Sequence, residues 1–230
     1  MWWLLVLIAF IQGARGEVIV GQSGEVDGPI FTEDYSSSKI FALWEQHFQI
    51  DDVNERYKNG TPLNFLEIGC FEGRTSRYFL ERILKHHPGS RLTCIDTFMG
   101  SEEHEGLESI TGLYERYIHN TKEYKDKVII ARGFSSEMLK TEAIRSNKYD
   151  LIYVDANHKA RHALEDAILS FPLLKLEGVM IFDDYLWSTQ GTIDLNGPKL
   201  GIDTFLHLYT GLYEVVFYNY QVCIRKYKEP

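Results

Sequence analysis

At 230 residues, 44% hydrophobic and 25% charged, the chain has the size and composition of a single α/β domain able to bury its own core without metal or disulfide staples. A net charge of −9 with no long basic run argues against duplex nucleic acid as a partner and leaves small molecules and neutral polymers open.

Residues 2–11 are all apolar. Such a run is short for a bilayer crossing but fits the apolar stretch of a signal peptide, and Ala14 and Gly16 stand where a signal peptidase wants small residues. The basic residues that usually precede that stretch are missing. Residues 1–16 are therefore expected to be a signal peptide that leads to the secretory pathway, leaving no stable membrane span once cleaved. A short buried or interfacial helix, in a chain that stays cytoplasmic, is the alternative. Residues 17–35 are polar and Gly-rich and read as an extended lead-in. Asn59-Gly60-Thr61 is an N-glycosylation triplet that a lumenal protein could use, which would make this a glycoprotein. The three cysteines form no disulfide framework; Cys94 and Cys223 fall in predicted strands and are expected as buried free thiols.

Residues 36–230 read as one domain, with no internal repeat and no second boundary. Helical spacing of Ile40, Leu43, Trp44 and Phe48 predicts a helix over residues 36–50. Strands and helices then alternate: a strand over 63–68, a helix over 74–87 stopped by Pro88-Gly89, a strand over 91–95, and a loop and helix reaching 120. A strand over 127–131, a helix over 136–147, a strand over 149–154, a long helix from about Lys159 and a strand over 178–182 follow. Uniformly apolar short strands of this kind are buried on both faces, as in a parallel sheet, and the alternation implies a doubly wound α/β fold. The tail departs from this pattern. After a helix over 201–209, residues 213–227 read as two strands with a tight turn near Asn219, which makes an antiparallel C-terminal hairpin.

In such folds ligands bind beyond the carboxyl ends of the strands. Past the first strand lies Glu67-Ile-Gly69-Cys-Phe71-Glu-Gly73. A dinucleotide fingerprint would need glycine where Phe71 stands, so a pyrophosphate is disfavoured. Past the second strand, Asp96 lies at the interval at which an acid commonly holds ribose hydroxyls. Past the third, Phe134 and Ser135 either line an adenine face or, in the case of Ser135 or Ser136, cap the next helix. Past the fourth and fifth lie Asp155, His158, Asp183 and Asp184, acids that should converge on one rim. Crowded carboxylates repel unless a proton or cation sits among them, and oxygen ligands suit Mg²⁺ or Ca²⁺.

The segments "FLEIGCFEGRTS", "CIDTF", "YDLIYVDANHKA" and "LLKLEGVMIFDDY", in this order, resemble a class I S-adenosylmethionine-dependent methyltransferase of the small O-methyltransferase-like group. The resemblance runs over about residues 36–227. It implies a Rossmann-like, mostly parallel seven-stranded sheet with one antiparallel strand. It also implies S-adenosylmethionine as cofactor, with Glu67 and Gly69 near the methionine end, Asp96 on the ribose and Phe134 and Ser135 near the adenine, and with Phe71, Gly73 and Phe98 also in the cofactor site. That cofactor has no phosphate and a cationic sulfonium, which suits an acidic turn carrying phenylalanine. The resemblance extends to metal-dependent catechol O-methyltransferases. It implies a divalent ion at Asp155, Asp183 and Asp184, although the family's third ligand is typically Asn and its lysine base corresponds here to His158. Helix-capping or ion-pairing acids with no ion are the alternative. The implied reaction is in-line methyl transfer to a hydroxyl of a small molecule or glycan, with His158 as base beside Asp155. Tyr185 and Trp187 are candidates to hold the acceptor's ring or sugar face. The rival reading is a catalytically inactive binding protein that keeps the fold.

Overall fold

The computed structural model describes residues 28–32, 41, 44–45, 61–101, 110–187 and 196–230. The expected signal peptide, the glycosylation triplet and most of the 36–50 helix lie outside these residues. Among the described residues no helix is long and apolar enough to cross a membrane.

Seven strands form one sheet: β1 (Asn64–Ile68), β2 (Arg91–Asp96), β3 (Val128–Arg132), β4 (Tyr149–Val154), β5 (Leu174–Phe182), β6 (Tyr213–Tyr218) and β7 (Val222–Lys226). Their order is β3-β2-β1-β4-β5-β7-β6. β7 pairs antiparallel with both β5 and β6, and every other pairing is parallel. The chain starts in the middle, winds out to β3, then crosses back to β4. This reversal puts a crevice above the carboxyl ends of β1 and β4. The helices are α1 (Arg74–Arg82), α2 (Leu113–Thr121), α3 (Ser135–Met138), α4 (Glu142–Arg145), α5 (Ala160–Ser170) and α6 (Pro198–Leu208).

Strand alternation divides the core. Leu66 and Ile68 of β1, Ile152 and Val154 of β4, and Met180 and Phe182 of β5 face α5 and α6, where they meet Ala167, Ile202 and Phe205. Phe65, Leu151, Tyr153 and Ile181 face the opposite way, toward Phe79 of α1 and the buried Trp44. A third, smaller cluster of Cys70, Cys94, Phe98, Leu113 and Tyr117 lies beneath the glycine turn.

Several expectations need correction. β3 and β6 are the sheet edges and are partly exposed, so not every strand is buried on both faces. β5 begins at Leu174, well before the expected 178, because its first half runs past an irregularity in the pairing with β4 between Tyr149 and Leu151. The expected 136–147 helix is two short helices broken at Leu139–Thr141. The expected 74–87 helix ends at Arg82 and tightens into a 3₁₀ turn, Leu84–His86. Cys94 is not a free thiol: it forms a disulfide with Cys70, Cα atoms 6.1 Å apart, while Cys223 is free and buried.

The described part of the lead-in is tied down. Asn120 of α2 pairs with Ile30 in both directions, through Oδ1 at 2.6 Å and Nδ2 at 2.7 Å. Thr32 donates its N–H and its hydroxyl to the Glu72 carboxylate, at 2.8 and 2.5 Å. Phe31 lies under the Arg74 guanidinium.

Candidate active site

The glycine turn links β1 to α1. Its backbone is unusual: Gly69, Phe71 and Gly73 all have positive φ, at 87°, 45° and 81°. A Cβ on Gly69 would stand 1.9 Å from the Asp155 carbonyl oxygen. The glycine thus serves the close approach of two strand ends.

Glu67 lies under this turn, 1% exposed. Its carboxylate accepts a hydrogen bond from the Ser76 hydroxyl, which is 3.2 Å from the Tyr117 hydroxyl. Burial pushes the Glu67 carboxyl up to about 8, and neighbouring Asp96 adds to the rise, against the pull of Ser76. A proton therefore resides there at neutral pH. The Glu67 side chain is buried beneath the turn and bonded to Ser76.

Asp96 braces the turn. Its Oδ2 accepts the N–H groups of Cys70 (2.7 Å) and Phe71 (2.9 Å), and its Oδ1 accepts that of Phe98 (2.6 Å). A carboxylate offers about four lone-pair sites. Three are occupied here, which leaves about one lone-pair site on this carboxylate. Phe98 is 5% exposed and packs its ring on Tyr114 and Tyr117, with its backbone N–H on Asp96. Phe134 is 57% exposed at the crevice end of β3, an open aromatic face. Ser135 is the first residue of α3 and Phe134 its N-cap, with no side-chain cap. Ser135 instead hydrogen-bonds the buried Asp166 of α5, whose carboxyl burial pushes up to about 7.

Past β4 and β5 the acids do converge. His158 Nε2 is 2.8 Å from Asp184 Oδ2, and the Tyr220 hydroxyl donates to Asp184 Oδ1 at 2.9 Å. Asp184 itself has φ 54° and donates its N–H to Asp183 Oδ1 at 2.7 Å. Asp183 Oδ2 accepts the hydroxyl of Tyr153. Burial, then Asp184, push the Asp183 carboxyl up to about 6, with Tyr153 and Gln221 acting the other way. Asp155 is held well above the carboxylate range by burial and by the charges of Asp183, Asp184 and Glu67. A cavity beside this group is lined by residues that include Asp155, His158, Asp166, Asp183, Asp184 and Ile202.

Donor atoms of Asp155, His158 and Asp184 all lie within 4.8 Å of one another. Of the expected trio, Asp155 and Asp184 fall in this group together with His158, while Asp183 lines the same cavity with its oxygens accepting from Tyr153 and from the Asp184 N–H. Tyr185 is corrected. It is buried, with its hydroxyl bonded to Asp203, Tyr218 and Lys199, so it holds α6 to the sheet and faces no acceptor. Trp187 does reach the site, its ring 4.6 Å from that of His158.

Sequence reasoning passed over Ser76, Tyr153, Asp166, Tyr220 and Gln221. Tyr153 carried a signal, since it stands two residues before Asp155 and so on the same side of β4. Gln221 accepts the Trp44 indole N–H at 2.7 Å across 177 residues, a pairing no local pattern announces.

Residues 66–185, more than half of the chain, match the family described as a methyltransferase domain. Over 123 residues the chain is 30% identical to the O-methyltransferase hkm8 of Aspergillus hancockii, which covers 54% of this chain and 43% of that protein. The chain thus spans less than half the length of this curated relative. Among solved structures, the O-methyltransferase NovP superposes with a TM-score of 0.60 at 16% identity, covering 80% of each chain. The MycE methyltransferase from the mycinamycin biosynthetic pathway, solved with Mg and SAH, gives 0.52 at 16% identity, covering 84% of this chain and 53% of that one. At such identities these structures speak for the fold. With the sheet order, the glycine turn and the family match in agreement, the chain belongs to the methyltransferase domain family and has the class I, Rossmann-like fold.

Proposed function

We propose that this protein transfers a methyl group from S-adenosylmethionine to a hydroxyl oxygen of a small molecule or glycan. The observation that carries the reading is the contact between two half-sites. The glycine turn abuts the backbone of Asp155, and Asp155 is one member of the Asp155–His158–Asp184 group. A donor held over the turn and an acceptor held over the acids would meet within one crevice. The relative hkm8 is named an O-methyltransferase and MycE was solved with SAH, both of which favour this chemistry.

In the reaction the acceptor oxygen forms a bond to the methyl carbon as the carbon–sulfur bond breaks, and the hydroxyl proton leaves. His158 is the proton acceptor in this reading. Asp184, 2.8 Å from Nε2, orients the imidazole and stabilises its protonated form, and Trp187 covers its ring. The two carboxylates of this group, Asp155 and Asp184, suit Mg²⁺ or another small oxygen-seeking divalent cation, and MycE was solved with Mg. Such an ion, when bound, would acidify the acceptor hydroxyl and fix its position. Asp155 and Asp184 would hold it, leaving His158 to take the proton.

The test is incubation with methyl-labelled S-adenosylmethionine and pooled hydroxyl acceptors, with and without chelator. Labelled ether product supports the proposal. Loss of label transfer on chelation, restored by added Mg²⁺, assigns the acids to a metal. SAH binding without transfer to any pool would favour the non-catalytic reading.

A further inference from the structure

We infer that the Cys70–Cys94 disulfide is a positioning element for the cofactor: closed, it holds the glycine turn against β2 in the form that accepts the nucleoside, and opened, it weakens cofactor binding. This rests on the cofactor reading above.

Cys70 lies inside the turn, between Gly69 and Phe71, and Cys94 lies in β2, two residues before Asp96. The turn and the strand are therefore joined twice at one place. The disulfide forms one link, and the two N–H bonds from Cys70 and Phe71 to Asp96 Oδ2 form the other. The turn needs such support. Phe71 holds a left-handed backbone without being glycine, a conformation that persists where its surroundings over-determine it. The two sulfurs sit in the closed cluster of Phe98, Leu113 and Tyr117, with Cys70 4% and Cys94 0% exposed. Unbonded sulfurs stand about 1.5 Å further apart than bonded ones. With both sulfurs buried among these side chains, we expect the separation to fall on the turn and the hydrogen bonds to Asp96 to lengthen with it.

Opening the bond takes an external dithiol. The S–S bond breaks, two electrons and two protons pass to Cys70 and Cys94, and the dithiol leaves as its cyclic disulfide. An oxidising compartment, such as the one to which the apolar leader would direct the chain, keeps the bond closed.

The experiment uses the full chain in two states, one kept with oxidised glutathione and one incubated at length with dithiothreitol. Thiols are counted in denaturant, folding is checked by circular dichroism, and SAH is titrated by calorimetry where both states are folded. One thiol, that of Cys223, is expected in the oxidised state and three in the reduced state. SAH should bind roughly tenfold more weakly to the reduced protein, as for a turn competent about a tenth of the time, and reoxidation should restore affinity. A merely structural bridge would lower the melting temperature and leave that affinity unchanged. The Cys70→Ala/Cys94→Ala double variant should bind weakly and ignore the dithiol; if it fails to fold, the two states of the natural chain still decide. Three thiols in the oxidised state, or equal affinity at confirmed thiol counts, overturns the inference. SAH binding to neither state overturns the cofactor reading, and this inference with it.

Discussion

Gly69 and Asp155 stand so close that a single added methyl on the glycine would lie 1.9 Å from the aspartate's carbonyl oxygen. The residue is doubly constrained, since its φ of 87° also belongs to the left-handed region. Gly69→Ala is expected to cost about 3 kcal/mol or more, from overpacking and backbone strain together. Chemical denaturation measures that loss, and calorimetry should show SAH affinity falling with it. A variant as stable as the natural chain would mean that the two strand ends separate freely.

Glu67 makes stability depend on pH in an unusual sense for a carboxylate. Its folded value of about 8 lies above the ordinary 4.5, so between these limits the folded chain keeps a proton that the unfolded chain has lost. Stability then falls as pH rises across this window, by about 1.4 kcal/mol per unit at most, and levels off above it. Glu67→Gln removes the titration. The melting temperature of the variant, compared with that of the natural chain, should gain ground steadily from pH 5 to pH 8.5. A constant difference would place the proton elsewhere.

His158→Ala should slow methyl transfer by about a hundredfold or more while leaving SAH affinity within roughly twofold, because the imidazole lies on the acceptor side. Asp184→Asn removes the charge that orients and stabilises the imidazolium and should lower the rate in the same direction. Single-turnover rates at saturating cofactor separate this outcome from a binding defect.

Asn120 is fully buried and ties three backbone groups together, Ile30 N–H and C=O and the Glu72 C=O. Asn120→Ala should cost about 2 to 3 kcal/mol, at roughly 1 kcal/mol per hydrogen bond lost. It should also free residues 28–32 from α2, which faster amide exchange at Ile30 and Thr32 would report. Protection unchanged at those two amides would show that Glu72 alone holds the segment.

The middle of the fold was legible because β1, β2 and β4 are apolar runs that end in turn residues, and the sheet order follows from their alternation with helices. β5 was read short because Lys175 and Glu177 interrupt its first half, where the strand is exposed and irregularly paired. No Gly or Pro interrupts residues 136–147, so the break at Thr141 stayed hidden. At the site, the sequence indicated which acids gather but not which one is engaged by Tyr153, because a hydroxyl on a strand faces an acid only after β4 and β5 pair in register. The Cys70–Cys94 bond was missed for a similar reason. A separation of 24 residues says nothing until β1 and β2 are known to be neighbours.

The insertion of β7 between β5 and β6 has a consequence for assembly. Tyr220 and Gln221, which reach Asp184 and the indole of Trp44, arrive on a hairpin late in the sequence. During synthesis the five parallel strands can associate first, but the acid pair Asp183–Asp184 then lacks its outer wall. The nascent domain would pass through a stage with the crevice over the glycine turn formed and the Asp183–Asp184 rim still open to water.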